Sequence, residues 1–420
     1  MILFSNDNGF EYRIPSMVNA GGTLVAVCDN GRSGADWGYI ELALRRSTDN
    51  GESWSEVKTL AAPPARSTSS DIENTKSAFF IDPCMTVAQN GDIILLVTFF
   101  PESKGVHNLK YLEAKKAAFT SFDGRNCSIL YDKDDNYYIV LENGVILDGR
   151  KAKTPYTLKG LGELYKGEEY VGNVYLNGAQ GKAEEGTKTS FGAPLKAPKR
   201  SFIFLMKSSD KGLTWTKPRD ITPTILNEKD GAFIGVAPGR GITLKSGRII
   251  MPLYNTKGSV CIYSDDDGIS WQRNQGLPVT GNKGECCLIE APSSRLYSYG
   301  TENGKIPETI SFDNGIVWAK GDRLPYKSPK CQKSTAVIGE RVFIAHPSGS
   351  KRTNGVISKG HFEYDKKGDF RGIKWQKKEI EITDGFFAYS CMAEIDSNTL
   401  GILYESKQSG EIRFEKIKVE

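Results

Sequence analysis

Ser47-Thr-Asp-Asn-Gly-Glu-Ser-Trp54 is one of four copies of a single pattern, S-x-D-x-G-x-x-W; the others run from Ser208 to Trp215, Ser264 to Trp271 and Ser311 to Trp318. The pattern describes a self-contained turn. Ser and Asp side chains accept hydrogen bonds from backbone N–H groups a few residues ahead. Glycine supplies a positive φ that other residues resist. The Trp ring, three residues on, folds beneath the turn and buries ~150–250 Å². Asp49, Asp210, Asp266 and Asp313 are therefore read as turn formers rather than catalysts.

Working outward, the later copies are spaced like one four-stranded blade each, since propeller repeats run ~40–50 residues. The gap between the first and second copies is far longer and holds about a hundred residues too many for a blade. The excess begins after Phe99-Phe-Pro101 and ends before Ser201-Phe-Ile-Phe-Leu-Met206. Within it, Ser128-Ile-Leu-Tyr131, Tyr137-Tyr-Ile-Val-Leu141 and Asn173-Val-Tyr-Leu176 alternate with Asn/Gly turns and a Lys/Glu/Gly-rich stretch at 182–189. These segments predict an inserted β-domain at 104–198 and a propeller built from 1–103 and 199–420. Subtracting the insert leaves room for six blades of about 54 residues. Short apolar and aromatic strands, such as Ile93–Phe100 and Arg248–Tyr254, and the absence of long helical periods agree. The expected fold is all-β, a six-bladed β-propeller with four Asp-boxes and a small inserted β-domain. A degenerate fifth box is expected at Asp369-Phe-Arg-Gly-Ile-Lys-Trp375.

Composition excludes several function classes. A formal charge of +4 over 420 residues, with basic and acidic residues mingled, gives no nucleic-acid surface. No apolar run approaches the ~20 residues that span a bilayer. Met1-Ile-Leu-Phe-Ser5 lacks the charged start of a signal peptide. The compartment stays open: secreted or cell-surface if the chain is a mature or truncated form, cytoplasmic if Met1 is native. Eight cysteines without a C-x-x-C, and only three histidines, argue for buried free thiols and no metal site or cofactor. Gly235-Val-Ala-Pro-Gly-Arg-Gly241 lacks the Gly-Lys-Ser/Thr ending of a phosphate loop and reads as a turn entering a strand.

Arg13, in Tyr12-Arg-Ile-Pro15, is an unusual residue for the first strand of a first blade. It has company in Gly34-Ala-Asp-Trp-Gly38, Phe80-Ile-Asp-Pro83, Gly284-Glu-Cys-Cys287, His346-Pro-Ser-Gly-Ser-Lys-Arg-Thr-Asn-Gly355 and Phe387-Ala-Tyr-Ser-Cys391. On these motifs and the four boxes, essentially the whole chain resembles the bacterial exo-sialidases (neuraminidases) of glycoside hydrolase family 33, the type with an inserted β-domain. The resemblance implies a retaining glycosidase acting on sialylated glycans or glycoproteins, expected to be a monomer. Sialic acid carries a carboxylate on its anomeric carbon, which repels the carboxylate nucleophile of other retaining glycosidases. A neutral tyrosine avoids that repulsion if a nearby glutamate takes its proton. By resemblance Tyr389 is the nucleophile, Glu285 its base and Asp36 the acid/base. Arg13 and Arg352 grip the substrate carboxylate bidentately. Arg32, Ile81, Asp82 and Tyr254 face the rest of the sugar.

The chain departs from the family at one place. A second carboxylate-binding arginine belongs about sixteen residues after the glutamate, where this sequence has Gly300 and Thr301; the nearest arginine, Arg295, falls in a hairpin turn. Three readings follow: a site working with two arginines helped by a water or the Thr301 hydroxyl, a related nine-carbon acid as substrate, or a propeller that binds sialoglycans without turnover.

Overall fold

The computed structural model describes residues 1–6, 9–32, 35–66, 76–108, 112–113, 115–177, 191–227, 230–274, 284–302 and 304–419. Gly34 and the 182–189 stretch, both used in reading the sequence, lie outside them. The fold is all-β. Six antiparallel blades form a propeller, and a seventh, larger sheet is inserted into the second blade. Blade I is Glu11–Ala20, Thr23–Gly31, Ile40–Ser47 and Lys58–Ala61. Blade II pairs Phe79–Val87, Ile93–Phe100, Phe202–Ser208 and Arg219–Asp220. Blades III, IV and V occupy about 234–273, 286–323 and 334–386. Blade VI takes Ser390–Asp396, Thr399–Lys407 and Glu411–Lys418 from the end of the chain and its outermost strand, Ile2–Phe4, from the beginning. The ring is thus closed by pairing Ile2 with Arg413 and Phe4 with Ile412.

The chain leaves blade II after Phe100 and returns so that Phe202 pairs with Phe99. Between them, seven strands from Phe119–Phe122 to Glu169–Asn173 form a meander in chain order. This sheet shares one apolar cluster with blade II, in which Leu130, Ile146 and Leu164 join Phe80, Phe99 and Phe204. Tyr175 is the joint, with its ring 4.9 Å from Phe99 and 5.6 Å from Phe202.

Each Asp-box caps the turn between the third and fourth strands of blades I to IV. In the first, Ser47 Oγ donates to Asp49 Oδ1 at 2.7 Å and accepts the Gly51 N–H at 2.9 Å. The box glycines have φ of 83°, 82°, 78° and 86°, and the residues before them, Asn50, Lys211, Asp267 and Asn314, are left-handed too. The fifth box is not formed. Residues Phe370–Phe386 run as one long strand of blade V, where Trp375 packs edge-on against Tyr299 and Tyr326. A leading Ser is missing there, and the turn before this strand is closed instead by Asp365, whose Oδ1 accepts the Lys367 and Asp369 N–H groups at 2.8 and 3.0 Å. All eight cysteines are free, seven buried and Cys127 half-buried.

The first strands of the blades surround the axis and are sewn together by side chains. Ser16 Oγ of blade I donates to the Gly239 carbonyl of blade III at 2.6 Å and accepts the Met85 N–H of blade II at 3.1 Å. Gln332 donates to the carbonyls of Pro238 and Ser390 and accepts the Ser390 N–H. Gly239–Arg240 pairs in parallel with Cys84–Met85, so the glycine-rich 235–241 stretch contributes to the axial wall rather than to a turn. Buried backbone groups need partners, and at the axis neighbouring blades supply them. Among the described residues no helix is long and apolar enough to cross a membrane.

Candidate active site

The residues singled out in the sequence gather at one end of the axial strands. Tyr389 and Glu285 each immediately precede the innermost strand of their blade. Tyr389 Oη donates to Glu285 Oε1 at 2.8 Å. The Arg352 guanidinium lies 5.3 Å from the centre of the Tyr389 ring. Arg13 reaches in from blade I, with Nη1 2.5 Å from Asp36 Oδ1. Asp36 is 39% exposed, and its other oxygen lies 3.5 Å from Nε2 of His107, whose ring packs on Trp37. Asp82 is buried and accepts from the Tyr254 hydroxyl at 3.2 Å. Ile81, Tyr254 and Tyr389 pack in one apolar cluster with Ile14 and Phe233. Arg32 follows the strand Thr23–Gly31 and stacks over the rings of Phe10, at 4.2 Å, and Tyr39, at 5.3 Å.

The electrostatics suit a neutral nucleophile beside a demanding base. Burial, then the nearby Glu285 charge, pushes the Tyr389 phenol well above its ordinary value. Burial also raises Glu285; the Tyr389 hydrogen bond and the charges of Arg352 and Lys333 oppose that rise. Asp82 is raised by burial and by the negative neighbours Glu285 and Asp36. A phenol that keeps its proton until a base 2.8 Å away draws it off can attack without bringing a second negative charge to an anionic centre.

Three kinds of comparison bear on this arrangement. The family model described as a BNR repeat-like domain matches residues 187–382. The anhydrosialidase of Macrobdella decora is 25% identical over 455 residues, covering 95% of this chain and 58% of that protein. Sialidase B of Streptococcus pneumoniae is 24% identical, covering 95% and 62%. The chain is similar to these two sialidases along nearly its whole length. The crystal structure of the NanB sialidase from Streptococcus pneumoniae superposes with a TM-score of 0.82 at 22% identity, over 100% of this chain and 70% of that one. The chain spans less than two thirds of the length of the curated relatives just described.

Several residues that hold the site together escaped sequence reading. Glu405, 2% exposed, accepts the Ile14 N–H at 2.9 Å and lies 3.5 Å from Arg13 Nε, while its own N–H donates to the Tyr389 carbonyl at 3.1 Å. It ties the arginine to the tyrosine. Asp29, fully buried, accepts the Asp82 N–H at 3.4 Å. A carboxylate closing an apolar strand, as in Leu400-Gly-Ile-Leu-Tyr-Glu405 or Leu24-Val-Ala-Val-Cys-Asp29, was the available signal. His107 arrives from the short helical turn Gly105–Asn108 that leads into the insert.

The departure from the family pattern has a definite structure. Gly300 pairs with Cys286 across blade IV, and Thr301 Oγ1 donates to the backbone carbonyl of Glu285 at 2.6 Å. The hydroxyl that the sequence offered as a carboxylate ligand is thus bonded to the Glu285 backbone in this structure. Arg295 is turned outward: it packs over Phe312 and Phe370 and donates to the Arg371 carbonyl at 3.2 Å.

Proposed function

We propose that this chain is a retaining exo-α-sialidase-like glycoside hydrolase that releases terminal sialic (nonulosonic) acid from glycoconjugates through a covalent intermediate on Tyr389. The observation that carries the reading is the 2.8 Å hydrogen bond from Tyr389 to Glu285 beneath the guanidinium of Arg352. Arg13 and Arg352 receive the substrate carboxylate as bidentate donors. Its entry displaces Asp36 from Arg13 and frees that carboxyl group. Asp36 then protonates the leaving glycosidic oxygen as Tyr389 Oη bonds to the anomeric carbon and passes its proton to Glu285. In the second half, Asp36 takes a proton from water, the water oxygen bonds to the anomeric carbon, and the phenol leaves with its proton restored from Glu285.

The test is turnover of a fluorogenic α-sialoside. Tyr389→Phe is expected to abolish it with the melting temperature retained; equal rates for the two proteins would eliminate the mechanism. One relative is named an anhydrosialidase and another a sialidase. Product NMR therefore distinguishes the free acid from an intramolecular anhydro product. Thr301 favours a second reading, a sialoglycan-binding propeller without turnover, because one fewer charge-assisted bond costs ~1.5–3 kcal/mol and at least tenfold in affinity. That reading predicts heat of binding with no product, and any Tyr389-dependent product rules it out.

A further inference from the structure

Lys333 has no part in the mechanism above, yet its amino group is buried, 2% exposed; burial lowers its proton affinity, and Cys331, Cys287 and Glu285 oppose that fall. Its place follows from the axial strands. Ser334 and Ser390, the first residues of two innermost strands, meet with their hydroxyls 2.9 Å apart. Lys333 and Tyr389 precede them. On its other side the Lys333 strand is joined to the Glu285 blade by Thr335 Oγ1, which donates to the Leu288 carbonyl at 2.9 Å. Lys333 therefore sits between the blade carrying Glu285 and the blade carrying Tyr389, at the same end as both.

Among the described residues its amino group donates to the Cys331 carbonyl at 2.9 Å, one acceptor for a group with up to three N–H donors. The charged or titratable groups facing it are Cys331, Cys287 and Glu285. Burial pushes both thiols up to about 12, so they are neutral near pH 7. Glu285 is the anion that remains. Glu285 in turn faces Tyr389, Arg352, Lys333 and Asp36, with Asp82 and Tyr254 beyond. When a substrate carboxylate arrives it claims Arg352 and adds negative charge, and both changes favour protonating Glu285. A cation that the substrate cannot reach is then needed to keep the base ionised.

We propose that Lys333 is a positioning residue whose buried ammonium holds Glu285 as a carboxylate beside Tyr389, a role that rests on the glycosidase reading of that pair. A merely space-filling Lys333 needs no charge, since apolar residues of similar volume commonly replace buried ions without loss of stability.

The experiment follows the Glu285 side-chain carboxyl by 13C NMR through a pH titration, assigned with Glu285→Gln, in the wild type, Lys333→Met, Lys333→Gln and Lys333→Arg. Both neutral variants should raise the Glu285 midpoint by about one pH unit, a tenfold gain in proton affinity, and the acid limb of kcat/KM should move up with it. Lys333→Arg should restore both. A folded Lys333→Met or Lys333→Gln protein, judged by its melting curve, with the wild-type midpoint overturns the proposal. The titration needs no turnover, so a wild-type protein inert toward sialosides would sink the glycosidase reading alone and leave the Lys333 result to stand or fall separately.

Discussion

Ile14 and Asp82 have φ values of 55° and 65°, and each immediately precedes a proline. A β-branched residue in the left-handed region is uncommon. Both lie where their strand slips register, between Arg13 and Ser16 in one blade and between Ile81 and Cys84 in the next. Bulges re-aim side chains, and here they turn Arg13 and Asp82 into the funnel. Strain of order 1–3 kcal/mol per residue persists only where the surroundings impose it; Glu405 and Asp29 do so by accepting the Ile14 and Asp82 N–H groups. Glu405→Gln should keep the hydrogen bond but lose the charge that steadies Arg13. It is expected to raise KM for a sialoside at least tenfold, about 1.4 kcal/mol, with a lower melting temperature. If steady-state kinetics show KM unchanged, the clasp is wrong. The Arg-Ile-Pro stretch was legible because a charge flanked by Ile and Pro is odd in any strand. Glu405 and Asp29 were not, because their burial depends on contacts between blades far apart in sequence.

At the scale of the element, the box turns were the most readable part of the chain because their chemistry is local. One detail was hidden: the residue before each glycine is left-handed as well, even where it is Lys211. The Trp rings also differ. Those of Trp215, Trp271 and Trp318 donate to their own box glycine carbonyl, at 3.2, 3.2 and 3.0 Å. Trp54 Nε1 has no partner among the described residues, and its ring instead packs edge-on against Phe414 of blade VI. A methyl group at Gly51, where φ is 83°, would collide with that same Phe414 ring. Gly51→Ala should therefore cost about 1–3 kcal/mol beyond the ~1 kcal/mol backbone penalty. Gly91→Ala, with φ 90° and open space around it, should show the backbone penalty alone. Urea melts of the two variants check this; equal losses would mean that the blade I–blade VI contact carries no energy. The inserted sheet was visible as a change in texture, and Ser128–Tyr131 and Tyr137–Leu141 fall on two of its strands; most of the others were not legible, since short polar strands separated by Asn/Gly turns resemble loops.

For the whole molecule, the balance of buried and turn carboxylates sets the response to pH. Burial is the first cause raising Asp29, Asp82, Glu285 and Glu405. The folded state therefore holds more protons than the unfolded chain once pH exceeds about 4, and stability falls as pH climbs through the raised values. The boxes act the other way. Hydrogen bonds, chiefly from Ser53 and Thr214, lower Asp49 and Asp210 to about 2, so their contribution is present above about pH 4 and is lost as pH falls toward 2. The melting temperature should peak on the acidic side of neutrality, and Asp29→Asn should flatten the decline above the peak. Calorimetry showing a steady rise from pH 5 to pH 8 would contradict this account. Blade number and the gathering of Arg13, Glu285, Arg352 and Tyr389 followed from motif order. The closing strand Ile2–Phe4 did not, because three apolar residues carry no periodic signal.

That closing strand has a mechanical consequence. The Met1 ammonium and carbonyl bond the Phe414 carbonyl and N–H at 2.8 and 2.9 Å, the three-residue strand follows, and Asn6 and Tyr12 then bond the Ser409 and Gly410 carbonyls of blade VI at 3.1 Å each. Tension applied at that end would load these few hydrogen bonds one after another, with the buried Leu3 and Phe4 side chains as the main apolar anchor behind them. Under force the molecule should yield there first, at low load, while the sheets further along the chain stay folded.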